Sequence, residues 1–156
     1  MHYECELGVG IGKPVRDATP DAALTCIAGY TVANDYAVRD HLENYYRPNL
    51  RAKNRDAATL LGPWLVDAGD VPDPMDLELR TLVNGEVRQR GTTRDMIFDV
   101  WQLIAHLSRY LTLAPGDVIL TGTPQGVVNV DVGDEIVTEI DGIGRLVGYI
   151  DAPGAT

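Results

Sequence analysis

A regular alternation of apolar and polar or small residues opens the chain over residues 3–11. The apolar face consists of Tyr3, Cys5, Leu7, Val9 and Ile11, and the other face consists of Glu4, Glu6, Gly8 and Gly10. A period of two is typical of a β-strand, because successive side chains of a strand point to opposite faces. The chain is therefore predicted to begin with a strand that carries two carboxylates side by side.

Cap and turn signals divide the next part of the chain into short elements. Thr19 followed by Pro20 is typical of a helix start, and a second strand is predicted to end at Asn34-Asp35. The elements predicted after it are one short helix (36–47), a polar loop without a usable period (48–59) and a short buried strand (64–66).

The second half of the sequence contains two hairpin signals and one long helical pattern. The predicted strands are 76–83, 86–92, 117–121, 135–140 and 144–150, with Asn84-Gly85 and Asp141-Gly142 as the hairpin turns. Asp99 is a candidate cap for a helix whose apolar stripe is Val100, Leu103, Ile104, Leu107 and Leu111. The sequence thus predicts a β-rich α+β domain with one long helix, because 16 glycines and 9 prolines suit short strands and turns.

Composition limits the partners of this domain. The chain has 156 residues, which is room for one domain, and 13 Lys plus Arg against 23 Asp plus Glu give a net charge of −10. That charge argues against nucleic acid and against anionic membrane surfaces. No apolar run approaches the ~20 residues of a membrane span, and the first residues lack the pattern of a signal peptide, so we expect a cytoplasmic protein. Cys5 and Cys26 are expected to be reduced thiols.

Glu4 and Glu6 are the first candidates for chemistry. Hard divalent cations such as Mg²⁺ or Mn²⁺ prefer carboxylate oxygens, and the glycines that continue the same strand face leave space for a ligand. Asp35, at the end of the second strand, would supply a third carboxylate. The alternative is an ordinary solvated strand face with two surface acids.

A basic loop is the second candidate. Arg47, Arg51, Lys53 and Arg55 are four cations in nine residues without an acid among them. In a cleft they would orient carboxylates of a small anionic substrate, whereas on the surface they would pair with neighbouring acids. A third segment, Thr121-Gly-Thr123-Pro-Gln-Gly126, would present hydroxyls and N–H groups at a strand end. Serine and cysteine nucleophile motifs are absent from the sequence.

Taken in order, several segments resemble the fumarylacetoacetate hydrolase superfamily over about residues 2–150. They are Glu4-x-Glu6-Leu-x-Val-x-Ile-Gly12, Gly29-Tyr-Thr-Val-Ala-Asn-Asp35, Lys53, Gly62-Pro-Trp64, Pro115-Gly-Asp117 and Thr121-Gly-Thr-Pro124. Residues 41–51 further resemble the branch that decarboxylates and isomerises 2-oxo dicarboxylic acids in aromatic catabolism. The resemblance implies the mixed β-roll of the family's C-terminal domain, assembled as a homodimer or a higher homo-oligomer.

The resemblance also assigns residues to roles. It implies Mg²⁺ or Mn²⁺ held by Glu4, Glu6 and Asp35, with Lys53 as the catalytic lysine and Thr123 as a substrate-binding residue. A 2-oxo acid would chelate the ion, which would stabilise the enolate formed when CO₂ leaves or a proton is removed. The cationic cluster alone suggests Arg47 and Arg51 for the distant carboxylate of a dioate substrate.

Two features depart from the family pattern. Members generally carry an upstream lid segment with a His-x-x-Glu pair, and no His-x-x-Glu occurs in these 156 residues. We therefore expect residues 1–156 to form a single catalytic-type domain without that upstream lid segment. Either the chain is a fragment, or another chain supplies that part, or water moves the proton. Leu42 stands where many members that hydrolyse carbon–carbon bonds have Gln, which favours decarboxylation and isomerisation.

Three functions remain open at this point. The first is a metal-dependent decarboxylase and isomerase of 2-oxo or 2-hydroxy-dienoate dicarboxylic acids. The second is a broader oxaloacetate decarboxylase or acylpyruvate hydrolase of the same superfamily, which would act on short 2-oxo acids. The third is a non-catalytic domain that binds the metal and a 2-oxo acid.

Overall fold

Two four-stranded sheets form the body of the protein. The computed structural model describes residues 1–42 and 50–152. The strands are β1 (Cys5–Ile11), β2 (Ile27–Asp35), β3 (Thr59–Asp67), β4 (Glu78–Val83), β5 (Glu86–Thr92), β6 (Val118–Leu120), β7 (Glu135–Ile140) and β8 (Gly144–Tyr149). The helices are α1 (Pro20–Leu24), α2 (Leu50–Lys53) and α3 (Val100–Ser108). The predicted β-rich α+β class with one longer helix is confirmed.

The sheets have the strand orders β3-β2-β1-β6 and β5-β4-β7-β8, and the paired strands within the described residues are antiparallel. Strands β1, β2 and β3 contact β4, β7 and β8 of the other sheet. The apolar face of β1 is part of the core between the sheets, where Leu7 and Val9 are fully buried. Ile104 of α3 packs into the same core.

Most of the local signals give the predicted structure. Thr19 caps α1, and Asp99 forms a capping box with Gln102 at the start of α3. Asn84 and Gly85 have φ values of 51° and 83°, as a tight hairpin turn between β4 and β5 requires. Within the described residues, no helix is long and apolar enough to cross a membrane.

The prediction for residues 36–59 was wrong in two places within the described residues. Residues 36–42 contain only a short 3₁₀ turn, Arg39–His41. The backbone before it continues beyond β2, with the N–H groups of Tyr36, Ala37 and Val38 donating to the carbonyls of Ala58, His2 and Ala52. The segment 48–59, predicted as a loop, includes α2 instead. These long-range pairings leave no local signal in the sequence.

The strand predicted at residues 64–66 is longer and less buried than expected. It is the middle of β3, which pairs with β2 and lies at the edge of its sheet. An edge strand with one covered face leaves large side chains in solvent, and Trp64 is 60% exposed, beside the exposed Leu61 and Leu65.

Candidate active site

Three carboxylates meet at one end of the first sheet. The antiparallel register of β1 and β2 pairs Cys5 with Asn34, and the Asp35 N–H donates to the Glu4 carbonyl at 3.0 Å. Because strand side chains alternate, Glu4, Glu6 and Asp35 lie on the same face of the sheet. One oxygen from each carboxylate lies within 4.8 Å of the others. Glu4 and Glu6 are 8% and 4% exposed, which excludes a solvated strand face.

Lys53 joins the cluster from α2. Its Nζ lies 2.5 Å from Glu4 Oε2, 2.6 Å from Asp35 Oδ2 and 3.0 Å from the Asp35 carbonyl oxygen. Burial by itself lowers the pKa of Lys53, but the hydrogen bonds to Asp35 and Glu4 and the charges of both carboxylates outweigh it, so its pKa is raised. The lysine therefore carries its charge at neutral pH and bridges two of the three carboxylates.

Glu6 is held from the opposite side. The N–H of Gly122, in the loop after β6, donates to Glu6 Oε2 at 2.7 Å. The pKa of Glu6 is raised to about 7, mainly because the carboxyl is buried. The charges of Asp35 and Glu4 also raise this pKa, whereas the hydrogen bond from Gly122 and the charge of Lys53 lower it. A buried carboxylate beside two others is a group whose charge a bound cation would stabilise.

Asn34 supports the cluster from within the core and was not identified from the sequence. Its Oδ1 accepts from the Glu4 N–H at 2.9 Å, and its Nδ2 donates to Thr138 Oγ1 in the second sheet at 2.9 Å. Asn34 is 2% exposed. The side chain therefore fixes the backbone that carries Glu4 relative to the other sheet.

The predicted hydroxyl-bearing loop comes to the same place. The Thr121 hydroxyl donates to the Leu7 carbonyl at 2.9 Å, and Gly122 contacts Glu6. Thr123 Oγ1 accepts from Gln89 Nε2 at 2.9 Å. Thr121 to Gln125 also line a cleft of about 690 Å³, whose other lining residues are Leu79, residues 90–93 and 95–98, and Leu103. The carboxylates are not among the residues that line this cleft, but Gly122, which does line it, is the residue that contacts Glu6.

The match to a family model decides the family. Residues 1–150 match the model of the fumarylacetoacetate (FAA) hydrolase C-terminal domain. The chain belongs to this family. The resemblance seen in the sequence is thereby confirmed, and the carboxylates, Lys53 and the Thr121–Pro124 loop lie within the matched residues.

Three similar proteins from this family illustrate the likeness. The 4-hydroxyphenylacetate degradation bifunctional isomerase/decarboxylase of Salmonella dublin is 59% identical over 150 residues, which are 96% of this chain and 35% of that protein. The crystal structure of 2-hydroxyhepta-2,4-diene-1,7-dioate isomerase from Mycobacterium marinum matches with a TM-score of 0.92 at 44% identity, over 98% of this chain and 59% of that one.

The third is fumarylpyruvate hydrolase from Pseudomonas aeruginosa in complex with Mn²⁺ and pyruvate, with a TM-score of 0.91 at 35% identity, over 96% of this chain and 65% of that one. The chain thus spans about a third of the length of the bifunctional relative and about three fifths of the length of the two crystallised ones.

The role of Arg47 and Arg51 at a distant substrate carboxylate stays a prediction. Arg47 lies outside the described residues. Arg51 is exposed on α2, two positions before Lys53, and side chains two apart on a helix do not face each other. Arg39, which the sequence reasoning did not assign to the site, reaches Glu4 Oε1 at 3.4 Å. Its only sequence signal was its place four residues after Asp35.

Proposed function

We propose that this chain carries the metal and substrate site of a decarboxylase and isomerase acting on 2-oxo or 2-hydroxy-dienoate dicarboxylic acids in aromatic catabolism. The observation that carries the proposal is the cluster of buried Glu4 and Glu6 with half-buried Asp35, bridged by Lys53. It lies in a chain 59% identical to a bifunctional isomerase/decarboxylase of 4-hydroxyphenylacetate degradation. The cytoplasmic location and the homodimer stay predictions. The exposed Leu61, Trp64 and Leu65 offer an apolar surface for such a dimer.

The donor set fits a hard divalent cation. Three carboxylates with oxygens within 4.8 Å suit Mg²⁺ or Mn²⁺, which take oxygen ligands and keep positions for water or substrate. We therefore propose Glu4, Glu6 and Asp35 as the ligands. When bound, such a cation supplies Lewis-acid stabilisation of the negative charge that develops on the oxygen of a 2-oxo acid.

The protein's own groups divide the remaining work. Lys53 places an ammonium beside the cluster, where it stabilises an oxyanion that forms on loss of CO₂ or of a proton. Asn34 and Gly122 hold Glu4 and Glu6 in place and so keep the carboxylates preorganised. Thr123 binds a carboxylate oxygen of the substrate. The acid/base group stays unassigned, because the sequence has no His-x-x-Glu.

A turnover assay tests the proposal. The protein is incubated with 5-carboxymethyl-2-oxo-hex-3-ene-1,7-dioate and, separately, with 2-hydroxyhepta-2,4-diene-1,7-dioate, and the ultraviolet absorbance of each is followed with Mn²⁺ or Mg²⁺ and with EDTA. Conversion that requires the metal is the expected result. Metal-dependent binding of oxalate without conversion would identify the chain as a non-catalytic binding domain and contradict the proposal.

Hydrolysis of acylpyruvates is the second candidate. It is favoured by the 35% identity to fumarylpyruvate hydrolase over 96% of this chain. Leu42, 41% exposed at the end of the 3₁₀ turn, is the observation against it, because many carbon–carbon hydrolases of the superfamily have Gln there. Release of pyruvate from fumarylpyruvate, with no conversion of the two dioates, would favour this candidate over the first.

The distant carboxylate of a dioate gives a separate prediction. Arg51→Ala is expected to raise KM for the dioate about tenfold and to change KM for oxaloacetate less than twofold, because only the longer substrate has a carboxylate away from the reacting end. Arg39→Ala is the comparison, since Arg39 contacts Glu4 and its loss should affect both substrates. Equal effects of Arg51→Ala on the two KM values would exclude Arg51 from this role.

A further inference from the structure

A buried glutamine stands behind the Thr123 hydroxyl. Gln89, on β5, is 1% exposed, and its Nε2 lies 2.9 Å from Thr123 Oγ1 and 2.7 Å from the Pro124 carbonyl oxygen. Its Oε1 lies 2.9 Å from the hydroxyl of Thr81, which is fully buried on β4. A row of hydrogen bonds thus runs from β4 through β5 to the loop that contacts Glu6.

The chemistry of these groups fixes the direction of every bond in the row. A carbonyl oxygen accepts but never donates, so the group of Gln89 that faces Pro124 must be the amide nitrogen. The two hydrogens of that nitrogen are then used by Pro124 and Thr123, and Thr123 Oγ1 is an acceptor. The amide oxygen of Gln89 in turn requires Thr81 to donate. The hydrogen of Thr123 is therefore not used in its bond with Gln89.

We propose that Gln89 is a positioning residue, which turns the Thr123 hydroxyl so that it donates to a carboxylate oxygen of a bound 2-oxo acid. A carboxylate only accepts hydrogen bonds, so a hydroxyl that accepts from Gln89 and keeps its own hydrogen for the ligand is preorganised for it. Thr123 is half-buried, lines the cleft and follows Gly122, whose N–H contacts Glu6. The inference rests on the proposed function, because it needs a 2-oxo acid at this site.

The loop is seated directly on β5, which makes a purely structural role for Gln89 the competing explanation. A Cβ on Gly91 would lie 2.5 Å from the Cβ of Pro124, so the loop packs against β5 without a gap. Thr121 gives a control, since its hydroxyl anchors the same loop to the Leu7 carbonyl and not to Gln89. A structural role predicts that Gln89 and Thr121 act alike.

A double-mutant cycle separates the two explanations. Calorimetric titration in saturating Mn²⁺ measures the affinity for oxalate of the wild type, Gln89→Met, Thr123→Val and the double variant. Thr121→Val is measured alone and combined with Thr123→Val as the control. We expect Thr123→Val to weaken oxalate binding about tenfold to a hundredfold, since it removes one hydrogen bond to a charged group. Gln89→Met should weaken it severalfold and by no more than Thr123→Val, because it leaves the hydroxyl in place but no longer orients it. The double variant should be no weaker than Thr123→Val, whereas Thr121→Val should have the same effect in both backgrounds.

Thr81→Val provides a second route to the same answer if Gln89→Met does not fold. Thr81→Val changes no residue of the loop. It should lower the affinity for oxalate severalfold when made in the wild type and should not lower it when made in Thr123→Val. Suppose that the wild type binds oxalate, but Gln89→Met has an unchanged affinity or the two substitutions have additive effects on affinity in the double variant. That result would overturn the role of Gln89 and leave the proposed function standing. Absence of Mn²⁺-dependent oxalate binding by the wild type would overturn the proposed function itself and this inference with it.

Discussion

Glu6→Gln is expected to abolish most of the stabilisation that Mn²⁺ gives to the folded protein. At a concentration 100 times Kd, a ligand that binds only the folded state raises the free energy of unfolding by about 2.7 kcal/mol. A hundredfold loss of affinity would reduce this gain to about 0.4 kcal/mol at the same Mn²⁺ concentration. Thermal unfolding with and without Mn²⁺ measures the difference directly.

The amide makes this variant informative because it keeps the shape of the side chain. Its oxygen still accepts the hydrogen bond from the Gly122 N–H, while the charge next to Glu4 and Asp35 is removed. The metal-free variant should therefore be at least as stable as the metal-free wild type, since repulsion between carboxylates is relieved. Metal binding and folding are thus separated in one protein.

Glu86→Gln is the matched control. Glu86 is an exposed acid paired with Arg88 at the start of β5 and lies outside the carboxylate cluster. Its replacement should leave the Mn²⁺-dependent shift unchanged. If Glu6→Gln retained the full shift while Glu86→Gln behaved like the wild type, Glu6 would not be a metal ligand and the proposed centre would have to be abandoned.

The strand signals in the sequence explain why part of the site could be predicted. Alternation over residues 3–11 places Glu4 and Glu6 on one strand face, and turn chemistry at Asn84-Gly85 defines the β4–β5 hairpin. Both signals are local, because they depend on residues at most a few positions apart. The side-by-side carboxylates therefore followed from the amino-acid sequence before any contact was known.

The parts that could not be predicted depend on contacts between distant segments. Asp35 was a candidate third carboxylate because it ends the second predicted strand, but its position beside Glu4 depends on the register of β1 and β2, which local periodicity does not fix. Asn34 and Gln89 act through hydrogen bonds to residues 104 and 34 positions away. A buried polar side chain of this kind resembles a surface residue in the sequence until its partners are known.

Lys53→Met is expected to reduce turnover about a thousandfold while leaving the affinity for Mn²⁺ unchanged or higher. The ammonium contributes charge at the position of a developing oxyanion, and loss of one such group typically costs 10²–10³ in kcat, so we expect about the upper end of that range for a full charge. Its Nζ also donates hydrogen bonds to oxygens of Glu4 and Asp35, so removal of the ammonium leaves these oxygens available to bind Mn²⁺. Initial rates and Mn²⁺ titration are measured on the same sample.

The same substitution should change stability in a way that depends on the metal. Without Mn²⁺, the carboxylates of Glu4 and Asp35 lose their shared counter-charge, and we expect the free energy of unfolding to fall by about 2 kcal/mol. Saturating Mn²⁺ should restore it, because the ion replaces the missing charge. Lys13→Met is the matched control, since Lys13 is the other lysine of the chain and is exposed. Turnover within twofold of the wild type in Lys53→Met would show that Lys53 only neutralises the cluster and takes no part in the reaction.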